Sequence, residues 1–225
     1  MTSSESASAG QHRYGVVLAL AVLTVVFLIV APTGGGSRAI ALVLTGSMLL
    51  VVVMTSRIDL TLRELAGGVV GLMTLAAAGL TAFDAMPRSI GPGIGMLVIL
   101  TTIGQLVRGL VRLLREKGVT VQAVAGALAV YLLLGVAFAF AIGFAAKAGN
   151  GPYFSQGFDG TESQHVYFSF TSMTTTGYGD LTPATRGGRA LSVLEMLIGQ
   201  IYLVTIISLL VGNLRRRGES SSATP

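Results

Sequence analysis

Apolar positions fall into six stretches, at approximately 14–31, 39–54, 65–83, 90–107, 119–146 and 189–213, separated by short connections carrying Gly, Pro or charge. A helix rising about 1.5 Å per residue needs ~20 mainly apolar residues to cross ~30 Å of hydrocarbon. Each stretch is therefore expected to be a membrane span, the second being the shortest. Between the fifth and sixth lie more than 40 residues too polar to cross. The ends, 1–13 and 218–225, are rich in Ser, Ala, Glu and Thr and are expected to be disordered. The pattern predicts an all-α integral membrane protein with six transmembrane helices.

Composition agrees with that pattern. Only 11% of the 225 residues are charged and 52% are hydrophobic, and the mean hydropathy is +0.76, whereas a soluble domain carries roughly 25% charge. With no cysteine, disulfides, thiolate metal sites and thiol nucleophiles are excluded. A net charge of +5 would suit nucleic acid, but in so apolar a chain basic residues gather at the cytoplasmic edge of the membrane, and no nucleic-acid partner is expected. With both termini inside, Arg13, Arg57, Arg63, Arg108, Arg112, Arg115, Lys117, Arg215, Arg216 and Arg217 are cytoplasmic, while Arg38, Arg88, Lys147, Arg186 and Arg189 are outside. That asymmetry predicts a multi-pass plasma-membrane protein with both termini cytoplasmic. The first stretch is too long for a secretory signal and lacks a cleavage triplet. Compactness and the absence of targeting signals suit a bacterial source.

The polar stretch holds the informative residues. Residues 163–174 are semi-polar and of helix length, yet too short to cross. They run directly into Thr175-Thr176-Gly177-Tyr178-Gly179-Asp180, then Leu181-Thr182-Pro183. Backbone that leaves a helix inside the membrane must be buried in protein or line water.

This hexapeptide, between a half-length helix and a full span, resembles the filter signature of the potassium channels: Thr, a variable residue, Gly, Tyr, Gly, Asp. Five specified residues at about 5% usage each would recur by chance at on the order of 10⁻⁷ per position. The resemblance covers about 119–217 and implies an outer helix at 119–146, a re-entrant pore helix at 163–174, a selectivity filter at 175–180 and an inner helix at 189–213. It implies that Thr175, Thr176, Gly177, Tyr178 and Gly179 bind permeant potassium ions, with main-chain carbonyls replacing water and the Thr175 hydroxyl as the inner ring. Gly177 and Gly179 permit backbone angles that a Cβ resists. One chain carries one such loop, so a ring of carbonyls requires a homotetramer.

Around the filter, Tyr167, Phe168, Thr171, Thr174, Asp180 and Glu195 are expected in support. Relatives often place tryptophans at the Tyr167 and Phe168 positions; this chain has none, so Tyr167 or Ser169 is expected to bond the Tyr178 hydroxyl. Glu195 is the one carboxylate well inside a predicted span. It should be protonated or hydrogen-bonded, packing behind the filter on Thr171 or Thr174. Gly199 is either a hinge or a packing glycine. Gln200, Leu203, Ile207 and Val211 form one helical stripe able to line a cavity and close as a hydrophobic gate, with lipid-facing packing as the plain alternative. His165 is read as a hydrogen-bonded interfacial histidine before an external pH sensor.

The leading four spans (14–107) lack a voltage sensor's arginines: 90–107 contains none. Arg108, Arg112, Arg115 and Lys117 fit an interfacial linker (108–118) facing anionic lipid headgroups, as Arg215, Arg216 and Arg217 do at the other end. No ligand-binding domain is expected after Arg217. The function expected is passive potassium conduction without steep voltage dependence, with no catalysis and no cofactor beyond permeant potassium. A weakly selective cation channel and a regulatory or scaffold subunit are the alternatives.

Overall fold

The computed structural model describes residues 13–32, 34–55 and 90–221. The third apolar stretch, 65–83, and Arg57, Arg63 and Arg88 lie outside the described residues. Among the described residues six helices are seen: α1 (Arg13–Val30), α2 (Gly35–Thr55), α3 (Ile90–Lys117), α4 (Val121–Ala148), α5 (Glu162–Met173) and α6 (Arg186–Ser221). Among the described residues three helical stretches are long and apolar enough to cross a membrane: Gly93–Glu116, Val121–Ala148 and Arg186–Ile206. Tyr14–Val30 and Ala39–Met48 are apolar but shorter.

Local chemistry sets the boundaries. Thr120 caps α4 by accepting from the Ala123 N–H at 3.2 Å. At α5 the sequence Thr161-x-x-Gln164 forms a reciprocal capping box, with Gln164 N–H to Thr161 Oγ1 at 3.3 Å and Thr161 N–H to Gln164 Oε1 at 2.8 Å. Thr185 caps α6 through the Gly188 N–H at 3.0 Å, so that helix starts three residues before the expected 189. It also continues past 213. The basic residues 108–117 are continuous with α3 rather than a separate element, because Leu, Arg and Lys are all good helix formers and no Gly or Pro intervenes after Gly109 until Gly118.

α4 sits at the centre, packed by α1, α3, α5 and α6. Small residues let its neighbours approach closely. A Cβ at Gly126 would fall 2.8 Å from the Tyr14 ring, and one at Gly95 of α3 would fall 2.6 Å from Phe140. Those contacts place the start of α1 beside the start of α4 and the start of α3 beside the later half of α4, while a Cβ at Gly109, near the end of α3, would fall 2.8 Å from the Tyr14 hydroxyl; α3 therefore runs antiparallel to α4. Buried threonines in the apolar helices satisfy their hydroxyls on their own preceding turn: Thr24 on Leu20 O, Thr45 on Ala41 O and Thr102 on Val98 O, each at 2.8 Å. α5 is wedged among α1, α4 and α6, with Ser163 Oγ donating to Ile29 O at 2.8 Å. Twelve residues give it about 18 Å, roughly half a hydrocarbon core.

Candidate functional site

Residues 174–180 leave the end of α5 and are exposed throughout. Their backbone alternates in hand. Thr175 (φ 58°), Gly177 (φ 51°) and Gly179 (φ 81°) are left-handed, while Thr176 and Tyr178 between them are not. For β-branched Thr175 that conformation is a true outlier, costing about 1–3 kcal/mol, and such strain persists where the surroundings over-determine it. The surroundings here are the carbonyls at the end of α5. The Thr175 N–H donates to Ser172 O at 2.9 Å, and the N–H groups of Thr176 and Gly177 both donate to Thr171 O, at 2.9 and 3.1 Å. Among the described residues no hydrogen bond ends on the carbonyls of Thr175 through Gly179. Three successive donors are thus bound to the helix, and the acceptors are left unclaimed.

The supporting residues divide between two faces of α5. Thr171 acts through its carbonyl; its hydroxyl donates to Phe168 O at 3.0 Å. The Thr174 hydroxyl donates to Phe170 O at 2.7 Å and lies 2.9 Å from the Thr176 hydroxyl. With one proton each, Thr176 donates to Thr174 and Thr174 to Phe170. Tyr167 stacks flat on Tyr178, centroids 6.3 Å apart at 4°, and its hydroxyl is within electrostatic reach of the Asp180 carboxylate. The expected bond from Tyr167 or Ser169 to the Tyr178 hydroxyl is thus replaced by ring stacking. Phe168 turns away from Tyr178 and packs edge-on against Phe154 at 5.3 Å.

Glu195 is fully buried behind this segment, but its partner is Ser169 and not Thr171 or Thr174. The reason is helical phase. Ser169 lies on the buried face of α5 with His165, Phe168 and Ser172, and Thr171, two residues on, points elsewhere. One turn along both helices Gly199 meets Met173: a Cβ there would lie 2.5 Å from Met173 Cγ and 2.8 Å from its carbonyl oxygen. That contact is close packing. From the other side, Gly135 of α4 accepts from Ser169 Oγ at 2.7 Å, and a Cβ on it would fall 2.7 Å from the Phe170 ring. Gln200 and Leu203 are half-buried on the flank of α6, and Ile207 and Val211 lie within that helix. Arg108, Arg112 and Arg115 are exposed on one face of α3. Lys117 ends α3 and Arg215, Arg216 and Arg217 lie in α6.

The α4–α5 loop braces the far end of the segment. It folds around fully buried Phe154, which touches Tyr153, Phe158, His165 and Phe168. From that knot the Ser155 N–H reaches Thr182 O at 2.8 Å, Tyr153 O receives the Ala184 N–H at 2.8 Å, and Gln156 Nε2 donates to Asp180 O at 2.6 Å. Tyr153, Phe154, Ser155, Gln156 and Gly135 are the supporting residues that sequence reasoning missed, and none of them carried a signal. Ser169 was expected in support of the Tyr178 hydroxyl and instead bonds Glu195 and the Gly135 carbonyl.

His165 is buried within this knot, with Nε2 donating to Asp159 O at 2.8 Å. Burial is the leading effect and, with the charge of Lys147, lowers its pKa from the ordinary 6.5, against the backbone bond to Asp159 and the charges of Glu162 and Asp159, which raise it. The neutral ring is the folded form, so its stabilisation is complete above about pH 6.5 and is lost as pH falls through the lowered value. Acidification is therefore expected to speed amide exchange across 149–161 in the wild type, and a His165→Gln variant should show no such step over that window.

Residues 126–216 match a family model described as an ion channel. No curated protein matches the chain. The match takes in most of α4, all of α5, the alternating segment and α6 as far as its last arginines, and it supports an ion channel carried by a membrane-spanning, all-helical chain.

Proposed function

We propose that this chain is one subunit of a homotetrameric, potassium-selective channel with six spans and a re-entrant α5, conducting passively with both termini cytoplasmic. The observation that carries the reading is the alternating hand of Thr175, Thr176, Gly177, Tyr178 and Gly179. Alternation directs successive carbonyls to one side, and oxygen dipoles converging from four copies can replace a potassium ion's hydration shell. The Thr176 hydroxyl is engaged by Thr174.

Association of four copies has a surface to use. Along α6, Leu194, Leu197, Ile198, Ile201 and Val204 are 41–64% exposed in the single chain, and Tyr178 is 71% exposed. The α6 residues share one face of the helix as an apolar stripe, which suits contact with neighbouring copies. Charge in α3 begins only at Arg108, which supports conduction without a voltage sensor; the exposed Arg108, Arg112 and Arg115 suit contact with anionic headgroups.

The test is flux from purified protein in liposomes. Potassium flux with a reversal potential that follows the potassium gradient in mixed potassium and sodium is the expected result. A reversal potential near zero would favour the weakly selective cation channel, and no flux from correctly assembled protein would favour the scaffold subunit.

A further inference from the structure

Two layers join the three helices behind the filter segment. In one, Gly135 of α4, Ser169 of α5 and Glu195 of α6 meet through hydrogen bonds. In the other, four residues on along both α5 and α6, Met173 fills the space left by Gly199 and also reaches Gly135, where a Cβ would lie 3.0 Å from Met173 Cε.

The polar layer poses a counting problem. Ser169 Oγ is buried and lies within hydrogen-bonding distance of two oxygens that would both be acceptors if Glu195 were ionised: Gly135 O and Glu195 Oε1. A hydroxyl has one hydrogen, so an ionised Glu195 would leave one of those oxygens facing a lone pair. Its second oxygen, Oε2, is buried with no partner, which a delocalised negative charge tolerates far less well than the carbonyl of a neutral acid. Among the described residues no cation answers the charge. On α6 the nearest described basic residue is Arg189, six positions away. Lys147 of α4 pairs with Glu162 at 3.6 Å, and His165 of α5 is bound to Asp159 O. From the α4–α5 loop the group within electrostatic reach is Tyr153, whose buried hydroxyl also lacks a partner.

We infer that Glu195 is held as the neutral acid and acts as a positioning residue: its proton is donated to Ser169, Ser169 donates to the Gly135 carbonyl, and this relay fixes α5 behind the filter. The same counting holds for the Thr176–Thr174–Phe170 relay on the opposite face. The spectroscopic part of the inference stands by itself; its consequence for conduction rests on the channel reading.

Infrared difference spectra of the full-length protein test the proton. A carbonyl stretch of a protonated carboxyl is expected at neutral pH and should vanish in Glu195→Gln; a wild type without that band overturns the inference. Liposome flux tests the positioning. Glu195→Gln, whose amide can donate to Ser169, is expected within about threefold of wild type, whereas Glu195→Leu and Ser169→Ala should each lose about tenfold or more. Wild-type flux should fall at alkaline pH while Glu195→Gln stays level. A Gln variant as impaired as the Leu variant would mean that the charge is needed, and a harmless Leu variant would mean that no positioning is done; either result overturns the inference. Should Glu195→Leu fail to assemble, Ser169→Ala must still shift the infrared band. A wild type that shows the band but passes no potassium counts against the channel and leaves the proton assignment standing.

Discussion

Potassium flux is expected to fall by more than about a hundredfold in Gly177→Ala, with the subunit still folded and assembled. At φ 51° a Cβ costs roughly 1–2 kcal/mol, and in the proposed ring that cost recurs in all four copies, giving about 4–8 kcal/mol against a tenfold rate change per ~1.4 kcal/mol. Packing within the chain contributes nothing, since no atom lies within 4 Å of where that Cβ would sit. The substitution therefore separates backbone hand from steric crowding. The backbone can escape by turning the Gly177 peptide, which points a carbonyl away from the axis and removes a ring of ligands. Flux measured beside size-exclusion mass checks it, and near-normal potassium flux would remove the central argument for main-chain coordination.

Gly199→Ala is the second large effect, and its mechanism is the opposite: crowding without backbone strain. The added methyl would meet Met173 Cγ at 2.5 Å and, less escapably, the Met173 carbonyl oxygen at 2.8 Å. Overpacking of this kind costs about 1–3 kcal/mol. Relief requires α6 to back away from the end of α5, and the Thr171 and Ser172 carbonyls that hold the N–H groups of Thr175, Thr176 and Gly177 move with it. The expected result is a reversal potential shifted toward sodium together with roughly tenfold lower potassium flux, partly rescued by Met173→Ala, which removes the Cγ contact but leaves the carbonyl. If Gly199 served only as a bending point, flux would change without any change in selectivity, and shortening Met173 would rescue nothing.

Much of the architecture was legible because it depends on local pattern. Apolar length located α1, α2, α4 and α6, and the capping pair Thr161 and Gln164 marks the start of α5 within one residue of the expected 163. Where the helices end was less legible. α3 carries on through Arg108 to Lys117 because a change from apolar to basic residues changes the solvent that a helix prefers without changing its backbone. The hexapeptide announced its own special conformation, since two glycines around a tyrosine leave few alternatives, yet the left-handed Thr175 could be seen only in three dimensions. The supporting contacts were the least legible. Gln156 and Asp180 are 24 residues apart, Ser169 and Glu195 26, and Gly135 and Ser169 34; no periodicity pairs positions at such distances. The choice of Ser169 over Thr171 for Glu195 turned on helical phase between two elements whose relative rotation a single sequence does not record.

Each subunit's own α5 already holds the left-handed Thr175 and the N–H groups that fix it, so a lone chain carries its quarter of the proposed ring in finished form. The conformational entropy lost in shaping that quarter is then spent during folding of one polypeptide. Oligomerisation becomes the docking of prebuilt parts, and neighbours need only exclude lipid and bring the oxygens into register.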